Sequence, residues 1–188
     1  MKRTLPVLIL FALCRCAFAE EDLVIQNPGF ETADPTDAAK ASGWNAFTES
    51  AEPAATMLSS EDSHGGATAM RLGFDGKRDG FVGITQEVRV EAGQKISFAG
   101  YFKKVDLKEG AYLKIGIEWK HADGTEITRV QEGDINAKTL VSGQWQRFVV
   151  SGAAPGGVSK AILTVTFYTG GTPSGAVLID DMTLEKLK

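Results

Sequence analysis

The chain has 188 residues, with 20 basic side chains against 24 acidic ones and a formal charge of −4 at pH 7. That length suits one domain able to bury about two-thirds of its unfolded surface, and the acidic balance, with no basic block, argues against nucleic acid or an anionic lipid surface as partner. The longest apolar run, Leu5 to Leu13, is about half of the roughly 20 residues a spanning helix needs, so no membrane span is expected.

In chain order, Lys2 and Arg3, the apolar run and the small-residue pattern Ala17-Phe18-Ala19 read as a signal peptide over residues 1–19. A secreted protein, extracellular or periplasmic, is therefore expected, with residues 20–188 as a single mature domain. Lipid attachment at Cys14 is disfavoured by the bulky Leu13 before it. Cleavage would remove three basic residues and no acidic one, leaving a formal charge of −7. It would also remove both cysteines, Cys14 and Cys16, so no disulfide is expected. Stability must then come from a packed core, with a metal as the other device open to it.

Leu23 and Ile25 alternate with polar neighbours in a first short strand that Pro28 and Gly29 end. Residues 31–42 are polar, alanine-rich and contain Pro35; they read as a loop with at most one helical turn. From Trp44 onward short strands recur, near 44–47, 55–59, 67–74, 82–90, 95–104, 111–121, 125–131, 145–151, 160–167 and 176–187. Between them fall the turn signals Asp75-Gly76, Ala92-Gly93, Glu109-Gly110, Asp123-Gly124, Pro155-Gly156-Gly157 and Gly170-Gly171-Thr172-Pro173. Asp123-Gly124 is a strong hairpin signal. This is the pattern of an all-β sandwich or barrel.

Alternation assigns faces, because successive side chains of a strand point opposite ways. Ile96, Phe98 and Phe102 form one apolar row, Leu113, Ile115, Ile117 and Trp119 a second, and Leu163, Val165 and Phe167 a third. These rows are the expected core. The opposite rows read Ser97, Ala99, Tyr101, Lys103; Tyr112, Lys114, Gly116, Glu118; and Ile162, Thr164, Thr166, Tyr168. Small residues mid-strand and rings towards the ends would give one sheet a shallow trough suited to an extended ligand.

Five segments in order, LVIQNPGFE, Gly43-Trp44, ITQEVRVEAGQKISFAGYFKK, GQWQRFVVSG and AVLIDDMTL, resemble carbohydrate-binding modules of families 4, 9 and 22. The resemblance spans almost the whole mature chain. It implies an all-β, galactose-binding-like jelly-roll sandwich of two antiparallel sheets, a structural calcium (Ca2+), and a cleft whose aromatic platforms hold a polysaccharide or oligosaccharide.

By that resemblance Glu31 and one of Asp180 and Asp181 would bind calcium, with backbone oxygens from a loop near residues 61–66. Calcium wants about six to eight oxygens, and alternation places Asp180 in a row with Leu178, Met182 and Leu184, where a carboxylate needs a partner or a metal. The plainer reading has Glu31 solvated and Asp180 accepting backbone hydrogen bonds. Phe81 matches a platform position and shares an outward row with Thr85 and Glu87. A sugar's C–H face stacks on such a ring while carboxylates take hydroxyls, which makes Glu87 and Glu118 polar candidates; Gln86, in the apolar row, reads as structural. Tyr101, Tyr112 and Tyr168 are further platforms or plain surface tyrosines. Trp119 falls in the core row by parity, yet by the resemblance it corresponds to a second platform, and one bulge would turn it outward into the trough. Trp44 and Trp145 read as structural caps.

Catalysis has little support: His64 and His121 lie in turn-like settings with no nucleophile motif or metal-ligand spacing nearby. The expectation is a non-catalytic, monomeric glycan-binding protein. The alternatives are an adhesion sandwich that meets a protein or the cell envelope, and a small jelly-roll lyase or hydrolase in which Glu87 and Glu118 flank the scissile bond.

Overall fold

A computed structural model describes residues 23–49, 54–74, 79–171 and 175–188. The signal segment and the turns at Asp75-Gly76 and Thr172-Pro173 lie outside these residues. No helix among the described residues is long and apolar enough to cross a membrane.

The described residues form an all-β jelly-roll sandwich. A small ribbon pairs β1 (Ala33–Asp34) with β2 (Asp37–Ala41). Next come β3 (Asn45–Thr48), β4 (Ala54–Ser59), β5 (Ala69–Phe74), β6 (Phe81–Arg89) and β7 (Lys95–Lys104). They are followed by β8 (Tyr112–Lys120), β9 (Glu126–Asn136), β10 (Gln146–Ala153), β11 (Lys160–Tyr168) and β12 (Gly175–Leu187). One five-stranded sheet has the order β3-β6-β11-β8-β9 and the other β10-β7-β12-β5-β4, every pairing antiparallel.

The three apolar rows meet between the sheets as expected. Ile96, Phe98, Phe102, Leu113, Ile115, Ile117, Leu163, Val165 and Phe167 are all fully buried. Each such side chain contributes about 1.5–3 kcal/mol by leaving water. The Asp123-Gly124 hairpin joins β8 to β9. There the Asp123 carboxylate accepts from the Thr125 backbone at 2.9 Å, and Gly124 adopts φ +87°.

The structure departs from the sequence reading in four places. Leu23–Ile25 is not a strand. Instead the Gln86 side chain plays the neighbouring strand's part: its Oε1 accepts from Gln26 N–H at 2.7 Å, and its Nε2 donates to the carbonyls of Gln26 at 3.0 Å and Gly43 at 2.9 Å. Residues 33–41, read as loop, make the β1–β2 ribbon, because Asp34 accepts the Thr36 backbone N–H at 2.8 Å and closes a tight turn that alternation could not signal.

The third departure concerns β7, whose outward row of Ser97, Ala99, Tyr101 and Lys103 belongs to the opposite sheet from the rows of β8 and β11, so it lines a different surface. In the fourth, the register of β12 against β7 breaks between Asp180 and Thr183. Val177, Ile179 and, beyond the break, Met182 join the core, while Asp180 leaves it to lie under the loop after β4. Asp181, at φ +45°, absorbs the turn of the bulge.

Candidate functional site

The outward face of β3-β6-β11-β8-β9 carries the trough. Its registers set side chains in ranks across the sheet: Phe81 opposes Tyr168, and Tyr168 opposes Tyr112. The rings touch in that order. Tyr112 and Tyr168 stack with centroids 4.8 Å apart and planes 11° from parallel. Phe81 lies 5.9 Å from Tyr168, and Phe47 of β3 lies 6.0 Å from Phe81. Four rings from four strands thus make one continuous aromatic wall at one end of the face. Burial, and secondly Tyr112, push the Tyr168 phenol above its ordinary pKa, so it keeps its proton and can donate a hydrogen bond.

The floor beside this wall is built from small residues. The next ranks run Phe47, Gly83, Thr166, Lys114 and then Asn45, Thr85, Thr164, Gly116, Gln131. Thr164 and Thr166 are buried beneath the taller side chains. A Cβ on Gly83 would lie 2.4 Å from the Phe47 ring, and one on Gly116 would lie 2.9 Å from Thr164 Oγ1. Glycine at these two positions is what lets Phe47 lean over the sheet and keeps the floor low.

The far end is charged and self-satisfied. Glu118 pairs with Lys120 at 2.7 Å and Arg129 at 3.3 Å, and Glu126 takes Arg129 through two hydrogen bonds of 2.7 and 2.6 Å. Arg129 and then Lys120 hold Glu126 down to about 2. Glu87 pairs with Lys160 at 2.8 Å.

Of the residues expected in the trough, Phe81, Glu87, Tyr112, Glu118 and Tyr168 stand on its face. Two do not. Trp119 is 2% exposed and packs in the core, because no bulge turns its side chain out of the inward row. Tyr101 rises from β7 of the opposite sheet, where His64 stacks on it with centroids 3.7 Å apart. Phe47, Lys114, Gln131 and Arg129 reach the trough without having been singled out. Period-two alternation does mark Lys114 and Arg129 as outward, but Phe47 sits on a four-residue strand too short to assign a face.

A second constellation forms where the first loop meets the bulge of β12. Asp180, fully buried, accepts the backbone N–H groups of His64 at 2.7 Å, Gly65 at 3.1 Å and Asp181 at 2.8 Å. Burial pushes its pKa up, against the pull of these hydrogen bonds. Glu31 Oε1 accepts from Ala67 and Thr68, both at 3.0 Å. Asp181 Oδ2 meets His64 Nδ1 at 2.6 Å. The Met182 N–H donates to the Pro28 carbonyl at 2.9 Å, tying the bulge to the Asn27-Pro28-Gly29 turn. Glu31 and both candidate aspartates, Asp180 and Asp181, therefore do converge on one loop, but backbone N–H groups engage Glu31 and Asp180, and the His64 ring engages Asp181. Among the described residues no three His, Cys, Asp or Glu side chains are placed to share one ion.

Trp44, 6% exposed, donates from Nε1 to the Asn27 carbonyl at 3.1 Å and packs on Phe30, a cap as expected. Trp145 stands edge-on to His64, centroids 5.8 Å apart, on the opposite sheet's outer side.

The fold is that of carbohydrate-binding modules. A family 61 module solved with β-1,4-galactotriose superposes at a TM-score of 0.58 with 18% identity, over 89% of this chain and 100% of the module. The first family 22 xylan-binding domain of Paenibacillus barcinonensis Xyn10C does so at 0.55 with 16% identity, over 85% of this chain and 92% of the domain. The enzymatically active domain of bacteriophage CBA120 tailspike protein 4 reaches 0.65 with 10% identity, although this chain covers 21% of it. No family model and no curated protein sequence matches the chain.

Proposed function

We propose that the protein is a secreted, monomeric, non-catalytic binder of a polysaccharide or oligosaccharide, which lies in the trough against the wall of Phe47, Phe81, Tyr168 and Tyr112. The observation that carries this reading is that wall, set over a floor of glycines and threonines. Rings supply faces for sugar C–H groups, and Thr85, Gln131 and Glu118 supply partners for hydroxyls. The folds shared with a galactotriose-bound module and a xylan-binding domain support it. Export rests on the pattern of residues 1–19. The non-catalytic reading rests on Glu118 and Glu87, which are occupied by Lys120, Arg129 and Lys160 and so lack a free acid paired with a free base. Screening the mature protein on a glycan array tests the proposal: binding that Phe81→Ala abolishes in a normally folded variant is expected, and failure to bind any glycan would sink it.

We also propose that the clasp of Glu31, Asp180 and Asp181 takes a structural calcium, whose remaining oxygens would come from backbone carbonyls. The support is that Glu31, Asp180 and Asp181 all meet residues 64–68 and that Asp180 is buried, so that a divalent ion would offset its charge. To share it, the carboxylates would exchange their present N–H and imidazole partners for the ion. Elemental analysis of purified protein with thermal melts in chelator is the test. An unchanged melt and no bound calcium would refute the ion.

A further inference from the structure

Lys114 stands apart from the other cations of the trough face. Its amine lies 5.8 Å from the ring centroids of both Tyr112 and Tyr168. Lys120, Arg129 and Lys160, which rise from the same face, are each held by Glu118, Glu126 or Glu87. Among the described residues no carboxylate lies within ion-pair distance of Lys114. Its cross-strand neighbour on β11 is the neutral Thr166. On β9 the register breaks opposite it, between Ile135 and Glu132, and the exposed Glu132 makes no ion pair with it. Glu118, four residues along β8, is about 13 Å away at the backbone. The side chain is half-buried between the aromatic wall and the low floor. A fixed positive charge is thus held beside two stacking rings, in a protein whose overall charge is negative.

Resting on the trough as the glycan site, we infer that the ligand is an acidic glycan. One sugar ring packs against the Tyr112–Tyr168 wall and its carboxylate or sulfate meets the Lys114 amine. A neutral sugar offers a hydroxyl, which gains less from an ammonium than an anion does. The charged end of the trough takes no part in this, because its own carboxylates already neutralise its cations. Global charge works against polyanions, so selectivity of this kind has to be local and short in range.

Titration calorimetry distinguishes the outcomes. The mature protein is titrated with oligogalacturonate and with the same oligosaccharide after its carboxyl groups are reduced to alcohols. In a second arm it meets a sulfated galactan oligosaccharide and its desulfated form. At least one acid is expected to bind about tenfold or more tightly than its neutral twin, and the arm in which that happens identifies the substituent. Lys114→Gln is expected to abolish the difference, bringing the acid to about the affinity of its neutral twin, with the melting temperature unchanged, and added salt should weaken mainly the acid. Equal binding of acid and neutral forms, or an acid preference that survives Lys114→Gln, overturns the inference. Neutral glycans bound in a Phe81-dependent manner with no acid preference overturn it while the glycan-binding reading stands. Binding of no glycan at all overturns both.

Discussion

Glu31 and Asp180, 149 positions apart in sequence, hold the same loop: Glu31 Oε1 takes the N–H groups of Ala67 and Thr68, and Asp180 Oδ2 takes those of His64 and Gly65. A link between such distant positions removes the entropy of a long closed loop from the unfolded chain, although that cost grows only slowly with loop length. The grip depends on Gly66, at φ +63°, where an added Cβ would stand 2.3 Å from Glu31 Oε1. Gly66→Ala forces an L side chain into the left-handed region and evicts the Glu31 carboxylate from its two donors. A loss of about 2–3 kcal/mol is expected. Gly93 has φ +82° and nothing within 4 Å of its would-be Cβ, so Gly93→Ala should cost only about 1 kcal/mol. Urea titrations of the two variants side by side are the check, and equal losses would show that the Glu31 grip adds nothing.

Trp119 and Tyr168 separate core from trough. Tyr168→Ala removes a ring stacked on Tyr112; it is expected to weaken glycan binding about tenfold or more, since a stacked sugar–ring contact is worth of the order of 1–2 kcal/mol, and to change stability by less than about 1 kcal/mol. Trp119→Ala empties a site 2% exposed, with an expected cost of about 3–5 kcal/mol. Whatever fraction of that variant stays folded should bind glycan normally. Calorimetric affinities measured with melting curves test both halves, and a selective loss of binding in Trp119→Ala would contradict the core assignment.

The strands and core were legible because period-two alternation runs unbroken through β6, β7, β8 and β11, long strands each buried on one face. Assignment of rows to sheets was not legible: alternation says which way Tyr101 and Tyr112 point within their strands, but not that β7 and β8 lie in different sheets. Residues 23–25 form no strand because Gln86, 60 residues away, satisfies the Gln26 backbone through a side chain. No local pattern announces such a partner. Glu31 and Asp180 reach one loop from opposite ends of the chain, and the donors that meet them there are the backbone N–H groups of His64, Gly65, Ala67 and Thr68, which side-chain alternation does not report.

The cluster at the charged end gives a pH dependence with a definite sign. Glu126 falls from an ordinary value of 4.5 to about 2 in the folded protein, through Arg129 first and Lys120 with it. A depressed acid contributes stability that is fully present above its unfolded value and is lost as pH falls from about 4.5 to about 2. The side chain is 28% exposed, so solvent screening reduces the contribution to about 1–2 kcal/mol. Unfolding free energies measured between pH 5.5 and pH 2.5 should fall through that window, and Glu126→Gln should flatten the slope while lowering stability at pH 7. An unchanged slope in Glu126→Gln would show that other carboxylates control acid unfolding.

Gln86, 4% exposed, serves three backbone groups with one amide. Gln86→Leu keeps a similar volume but strands the Gln26 N–H and the carbonyls of Gln26 and Gly43, and a loss of about 2–4 kcal/mol is expected. Gln86→Glu is more informative, because its carboxylate accepts from the Gln26 N–H yet faces two carbonyl oxygens where the amide donated. Burial and that repulsion raise the folded pKa of the new acid above its unfolded value. Such a group costs stability once ionised and returns it as pH falls back through the raised folded value, the reverse of the Glu126 trend. Relative to the parent, Gln86→Glu should therefore be most destabilised at neutral pH and recover part of the loss on mild acidification, while the deficit of Gln86→Leu stays flat. Melting curves of the three proteins from pH 7 to pH 4.5 give the comparison; parallel deficits in the two variants would mean that Gln86 acts by filling space and not through its hydrogen bonds.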